Sequence, residues 1–258
     1  MEAKKRIVLI ALCVSSILML VKFCAFFITG SNAILTDAAE SIVNVLASTF
    51  AFFSIYFSSL PRDQNHPYGH GKIEFFSAFI EGILIIIAGI LILIKSVYNL
   101  FYPEPIQELV NGVFLIAFTG LINGGLGWYM IKKGKLLNSL TLIADGKHLG
   151  TDAISSVGLI FGLTLIYLTD LLWLDSVISF VLVIYIVYNG YKLTRTSVGG
   201  LMDESDLNIV KQVVKYFNLF RKDEWIDVHN LRVQRYGATY HIDCHVTLPY
   251  YFDLVQVH

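Results

Sequence analysis

The chain has 258 residues, 55% of them hydrophobic and only 15% charged, with a formal net charge of −1. A mean hydropathy of +0.65 excludes an ordinary soluble domain, the near-zero charge gives no footing to a nucleic-acid partner, and together they point to a polytopic protein in membrane lipid. Three cysteines, Cys13, Cys24 and Cys244, show no paired spacing, so no disulfide framework is implied.

Six apolar segments are long enough to span a bilayer, which takes about 20 residues each. They lie at 7–29, 33–59, 76–100, 110–131, 139–168 and 172–194. The first follows Met1-Glu2-Ala3-Lys4-Lys5-Arg6 and runs on to Phe27-Ile28-Thr29. That is longer than the core of a signal peptide, so it reads as a retained span.

The second segment carries Asp37, then Glu40, then Asn44. Residues three and four apart share one face of a helix, so the three form a short polar stripe. The aromatics Phe50, Phe52, Phe53, Tyr56 and Phe57 in the same segment read as lipid-facing or packing residues. A polar loop follows, Asp63-Gln64-Asn65-His66-Pro67-Tyr68-Gly69-His70. Asp63, His66 and His70 make a plausible surface metal site there; the plainer alternative is a solvated turn set by Pro67 and Gly69. In the fourth segment, Gly120, Gly124, Gly125 and Gly127 allow close helix packing.

The fifth segment repeats the pattern of the second: Asp145, then His148, then Asp152. A charge inside a membrane costs roughly 2.5–3.5 kcal/mol on insertion scales, so such stripes call for a purpose. Two stripes facing each other would offer Glu40, Asn44, His148 and Asp152 as four ligands. That nitrogen and oxygen set suits Zn²⁺, with Fe²⁺, Mn²⁺, Co²⁺ and Cd²⁺ as alternatives. The competing reading has Asp37 and Asp145 capping helix starts and Glu40 paired with an intramembrane lysine, Lys22 or Lys95.

Lys and Arg cluster at alternate ends of the segments: Lys4, Lys5 and Arg6; Arg62 and Lys72; Lys132, Lys133 and Lys135; Lys192 and Arg195. The opposite loops have none, so both termini are expected in the cytoplasm. After Gly199-Gly200 the chain turns polar. Ile209, Val210, Val213, Val214 and Phe217 predict an amphipathic helix. Two strands are predicted at Trp225–Arg235 and Tyr240–Leu248, joined by a turn at Gly237, with a second helix beginning over 252–258. A helix and two strands make an incomplete layer, so the chain is expected to continue beyond residue 258 in the natural protein.

Taken together, these strings resemble the cation diffusion facilitators, proton-coupled exporters of divalent metals. The resemblance rests on Gly30-Ser31-Asn32-Ala33-Ile34-Leu35 before the first stripe and on His66-Pro67-Tyr68-Gly69-His70-Gly71-Lys72. It rests equally on His148-Leu149-Gly150-Thr151-Asp152 and on Leu201-Met202-Asp203. It covers nearly the whole chain.

The resemblance implies an all-α polytopic membrane domain of six transmembrane helices over residues 1–200, which carries transport. Residues 201–258 become a small cytoplasmic α/β metallochaperone-like dimerisation domain, truncated at its C-terminus. It further implies a homodimer in a lipid membrane, taken to be a bacterial inner membrane. Metal binding at Asp63, His66 and His70 is implied, and a structural metal in the cytoplasmic domain held through His229, His245 and His258. A charged interlock between Lys72 and Asp203 near the dimer centre also follows. Where the family usually has an acid at the second ligand position of the first stripe, this chain has Asn44, which lowers the site charge by one and opens the choice of metal; Asp37 and Asp145, one turn away, are the candidates to compensate, and Asp37 is counted with the metal residues. His241 and Asp243 are assigned to an exposed polar sheet face.

The expected function is a secondary transporter, not an enzyme. It exports a divalent cation, Zn²⁺ or Fe²⁺ foremost, from the cytosol in exchange for protons, since metal ligands must be deprotonated to bind. Two rivals are weighed. A membrane-bound sensor or scaffold without flux is compatible with the weakened ligand at Asn44. An intramembrane metalloenzyme would need a general base or substrate-shaping motif that the sequence does not offer.

Overall fold

Each long apolar run folds as a helix, the one open-chain conformation that satisfies its own backbone N–H and C=O groups without water. The structure, a computed structural model, describes residues 2–29, 32–101, 109–169, 173–253 and 255. Six long helices lead: α1 (Glu2–Thr29), α2 (Asn32–Ser58), α3 (Ile73–Phe101), α4 (Leu109–Leu136), α5 (Leu140–Thr169) and α6 (Trp173–Leu201). A shorter α7 (Leu207–Leu219) and the strands β1 (Asp227–Tyr236) and β2 (Thr239–Thr247) follow. The long helices have 27 to 30 residues, roughly 40–45 Å each at 1.5 Å per residue. Among the described residues, three stretches are long and apolar enough to cross a bilayer: Glu2–Cys24, Ser41–Ser58 and Ile73–Ile94.

Several helices run beyond the apolar segments. α4 continues through Lys132, Lys133 and Lys135, and α6 through Lys192 and Arg195. Lys and Arg are good helix formers, so leaving the apolar run does not end the helix.

The helices associate in pairs, α3 with α6, α4 with α5 and α1 with α2. Small residues bring the first two pairs close. A Cβ at Gly190 would stand 2.8 Å from Ile86, and one at Gly127 would stand 2.7 Å from the carbonyl of Gly146. α5 is the central element. Its Leu142 and Leu149 join a buried cluster with Ile7, Val8, Ala11, Ala51, Ile55 and Met130. Its Leu140 and Ala144 join a second with Phe75, Ala78, Ile85, Ile186 and Leu193. The predicted lipid-facing aromatics behave accordingly, with Phe50, Phe53, Tyr56 and Phe57 all exposed on the outside of α2.

The hairpin is antiparallel, with His229 opposite His245 and Tyr236 opposite Thr239. Gly237 opens its two-residue turn at φ +62°, a left-handed value that suits glycine. A bulge between His229 and Arg232 is accommodated at Asn230, φ +54°. Asp206 caps α7, its side chain accepting from the backbone N–H of Asn208 at 2.9 Å. The predicted stripe on α7 contacts β1, and Phe217 meets Trp225 edge-on, yet no residue of α7 is buried. The second helix expected over 252–258 falls largely outside the described residues.

Candidate metal centre

The two polar stripes meet where α2 crosses α5. Asn44 donates from Nδ2 to Asp152 Oδ2 at 2.6 Å, and its Oδ1 lies 2.9 Å from His148 Nε2. The carboxylate can only accept, so the amide nitrogen faces Asp152 and the amide oxygen faces His148. His148 therefore carries its hydrogen on Nε2 and keeps a lone pair on Nδ1. That Nδ1 is buried and has no hydrogen-bond partner among the described residues. The side chains of Asp37, Glu40 and Lys95 lie outside the described residues; Glu40 stands one turn before Asn44 on the same helix.

Asp145 does not cap a helix start. It lies inside α5, fully buried, and Ser48 Oγ reaches both of its carboxylate oxygens at 3.1 and 3.3 Å. Within its electrostatic reach is Glu81 of α3, also fully buried. Ser77 Oγ lies 3.3 Å from Glu81 Oε1, and Oε2 has no hydrogen-bond partner among the described residues. Glu81 was legible as a lone acid in the apolar run Phe75–Ile94, but no spacing pattern linked it to Asp145.

A closed polar seam, too tight to admit a water molecule, joins α1 and α4 to this centre. It is lined by Ser15, Leu18, Lys22, Ser41, Asn44 and Asn123. All of these except Asn44 and Leu18 are buried polar or charged side chains.

The loop between α2 and α3 gathers a second set of donors. Asp63 Oδ1 lies 2.9 Å from His66 Nδ1, and Oδ2 lies 3.3 Å from His70 Nε2. One ligand atom from each of the three falls within 4.8 Å of the others, the one such trio among the described residues. Backbone N–H groups of Asn65 and His66 also donate to Asp63, which folds the loop back on itself. Desolvation opposes ionisation of Asp63, but hydrogen bonds from His66 and the charges of His66 and His70 together outweigh it and hold the carboxyl below its usual range. His70 Nδ1 is buried and unpartnered among the described residues. Exposed carboxylate and imidazole donors converging in this way fit a divalent ion of the Zn²⁺ or Mn²⁺ kind.

Beyond the loop, Lys72 Nζ donates to Asp203 Oδ2 at 2.7 Å and lies 4.9 Å over the Tyr236 ring. Desolvation works against the ammonium, but the bond to Asp203 and its charge prevail and raise the Lys72 pKa. The neighbouring Arg195 and Glu204 form a two-pronged exposed pair at 2.6 and 3.1 Å, which holds the Glu204 carboxyl below its usual range.

Three further sets of contacts complete this end of the molecule. Glu74 in the first turn of α3 is 1% exposed. It accepts from Lys4 Nζ at 3.0 Å, Ser58 Oγ at 3.1 Å and Ser139 Oγ at 2.6 Å. One carboxylate thus ties α1, α2 and the entry to α5 onto α3. Tyr68 of the loop packs on Tyr236 and His241 of the hairpin, with ring centroids 5.5 and 5.2 Å apart. His241 is thereby a contact between hairpin and loop rather than part of an exposed polar face. Arg235 donates to the carbonyl of Asn138, in the turn between α4 and α5, at 3.2 Å.

On the hairpin, His229 and His245 face each other with ring centroids 5.4 Å apart, and His229 Nδ1 lies 2.9 Å from Asp227. Asp243 stands opposite Arg232 in the register. His258 lies outside the described residues.

Comparison with known proteins adds an independent line. A family model described as the cation efflux transmembrane domain matches residues 8–202. An uncharacterized transporter of Synechocystis sp., sll1263, is 33% identical over 237 residues, covering 92% of this chain and 76% of its own length. The manganese efflux system protein MneP of Bacillus subtilis is 28% identical over 264 residues, covering 100% of this chain and 88% of its own. The cation-efflux pump FieF of Yersinia pestis is 26% identical over 260 residues, covering 98% and 84%.

Proposed function

This chain belongs to the cation efflux family, and from that premise we propose that it is a homodimeric secondary transporter, not an enzyme, that exports a divalent metal from the cytosol in exchange for protons. α1 to α6 are its six spans, with both termini in the cytoplasm of a bacterial inner membrane. Residues 201–258 belong to a cytoplasmic, metallochaperone-like dimerisation domain.

The observation that carries the reading is the contact of Asn44 with both His148 and Asp152. It joins one amide, one imidazole and one carboxylate inside the helix bundle, and Glu40 on the same face of α2 supplies the fourth ligand. Without metal the Asn44 amide bridges its two partners. A cation entering must draw Oδ1 away from His148 and take the Asp152 carboxylate from the amide N–H. A proton taken up at His148 Nδ1 or at the Asp152 carboxylate occupies a lone pair that the metal needs, and a metal binding there releases it, which is how proton and metal come to exclude each other. Asp145 and Glu81 place two further acids on the cytoplasmic side of that centre.

The substrate falls in the set Zn²⁺, Fe²⁺, Mn²⁺, Co²⁺ and Cd²⁺. An amide oxygen in place of a carboxylate, together with the 28% identity to a manganese efflux protein, brings Mn²⁺ level with Zn²⁺ and Fe²⁺. The loop trio Asp63, His66 and His70 binds a second, accessory metal, and His229 with His245 contributes to a third in the cytoplasmic domain. Lys72 and Asp203 form the interlock near the dimer centre.

The test is flux into proteoliposomes for each metal, with a pH dye inside. Metal uptake with opposite proton movement is the expected result. Metal binding without flux would leave a sensor or scaffold and end the transporter reading.

A further inference from the structure

From the packing of Lys22 in the polar seam beside Asn44 we infer that Lys22 is a tethered cation of the transport site, holding its acidic face when no metal is bound and setting how tightly a metal can bind. The inference rests on the transport reading above.

Lys22 is the one charge in α1 between Arg6 and Thr29. A lysine near a helix end can reach water by extending its stem past the lipid. Lys22 does not, being only 4% exposed in the interior of the bundle. It packs in the same polar seam as Ser41 and Asn44 of α2 and Asn123 of α4. Depth agrees. By helix rise, Lys22 lies about 10 Å from the end of α1 at Thr29, and Glu40 about 12 Å from the start of α2 at Asn32. α1 and α2 pack side by side, so the ammonium and the first ligand stripe share one level.

A charge at that depth costs roughly 2.5–3.5 kcal/mol on insertion scales and needs a partner of opposite sign. A lysine suits a displaceable role, because its ammonium is a compact point charge on a flexible stem. When a divalent ion enters, like charges repel and the ammonium must give up the acids to it. A carrier must release its cargo on the far side. A resident cation that competes for the same acids weakens binding enough to permit release, as Asn44 does by removing one acid from the set.

The experiment uses the purified full chain, with Mn²⁺ and Zn²⁺ as probes, and compares Lys22→Gln with Lys22→Arg. Titration calorimetry should show Lys22→Gln binding both metals about tenfold tighter or more, as loss of one nearby positive charge demands, with a lower maximal flux in vesicles. Lys22→Arg keeps the charge and should bind within about twofold of the parent. Unchanged or weaker binding in folded Lys22→Gln would overturn the inference while leaving transport intact. Should that variant not fold, hydrogen exchange on the parent decides. Mn²⁺ should speed exchange in α1 around Lys22 by freeing the tether, and slower or unaltered exchange would overturn the idea. A parent that binds neither metal would instead sink the transport reading itself.

Discussion

Lys72 and Asp203 lie 131 residues apart in sequence and meet at 2.7 Å, joining the start of α3 to the end of α6. Asp203 holds a left-handed φ of +58°, tolerable for aspartate, which turns the chain out of α6 with its carboxylate toward Lys72. Both side chains are 30% exposed, so the pair should contribute under about 1 kcal/mol to stability. Asp203→Ala should nonetheless weaken dimerisation or flux, and Lys72→Ala should add little further loss. A double-mutant cycle measures this, and fully additive effects would mean the two act independently. Because the folded Lys72 pKa is raised, the pair's contribution is complete below the unfolded value of about 10.4 and is lost as pH climbs through the folded one. Thermal stability of the Lys72→Met variant and the parent should therefore converge only at strongly alkaline pH.

His148→Ala and Asp152→Ala should each reduce metal flux to background while the protein remains folded and monodisperse. Each removes a proposed ligand from the centre but leaves the flanking apolar packing of Leu149 and Leu142 in place. Vesicle uptake and thermal melting in detergent check the two halves. Parent-like flux in both variants rules out this centre.

Asn44→Asp should bind metal more tightly and change the ranking of Zn²⁺, Fe²⁺ and Mn²⁺. The amide now donates to Asp152 at 2.6 Å. A carboxylate in its place would set two negative charges against each other unless a cation lies between them. The metal-induced rise in melting temperature should accordingly be larger than in the parent. Identical affinities for all three metals in both proteins would remove Asn44 from the ligand set.

Apparent metal affinity should fall as pH is lowered from about 8 to 6, the range in which histidine side chains commonly take up a proton. Metal uptake should be accompanied by proton movement in the opposite direction. A flat affinity over that range with no proton movement favours a channel or sensor.

Glu74→Gln should destabilise the fold by about 3 kcal/mol, in line with breaking a buried pair by removing one partner. The carboxylate is 1% exposed and takes Lys4, Ser58 and Ser139 at once. The exposed Arg195–Glu204 pair serves as the comparison, and Glu204→Ala should leave stability nearly unchanged, since solvent screens the pair. Denaturant titration in detergent measures both, and equal losses would mean Glu74 is not the tie between helices described above.

Much of this architecture was legible in the sequence because hydrophobic runs and i, i+3, i+4 spacing are local signals. The run lengths located α1 to α6, and the repeated stripe put Asn44 on one helix face and His148 and Asp152 on another. The apolar runs do not mark the helix ends, because charged helix formers such as Lys132 to Lys135 extend a helix past its apolar run. Long-range partners were not legible. Nothing near Glu74 in the chain announces Lys4 or Ser139, and nothing near Tyr68 announces Tyr236 and His241. Those contacts exist only once the bundle has brought the α2–α3 loop beneath the hairpin. Asp145 was open to a capping role in the sequence. Its place inside α5, with Ser48 of a neighbouring helix on its oxygens, settles that it is a buried tertiary contact.

Where the loop meets the hairpin, Gly71 lies directly against the main chain of Tyr236, and a Cβ there would come within 2.5 Å of the Tyr236 carbonyl carbon. Backbone therefore rests on backbone, with no side chain between them to bend or change rotamer. Most seams between packed elements are cushioned by such side chains and absorb small displacements. This one behaves as a hard bearing. A displacement of the histidine loop toward the hairpin meets main chain at once, with the Tyr68 and Lys72 side chains packed beside the contact. Alanine at position 71 would act as a shim, prising the bearing open without touching a single ligand.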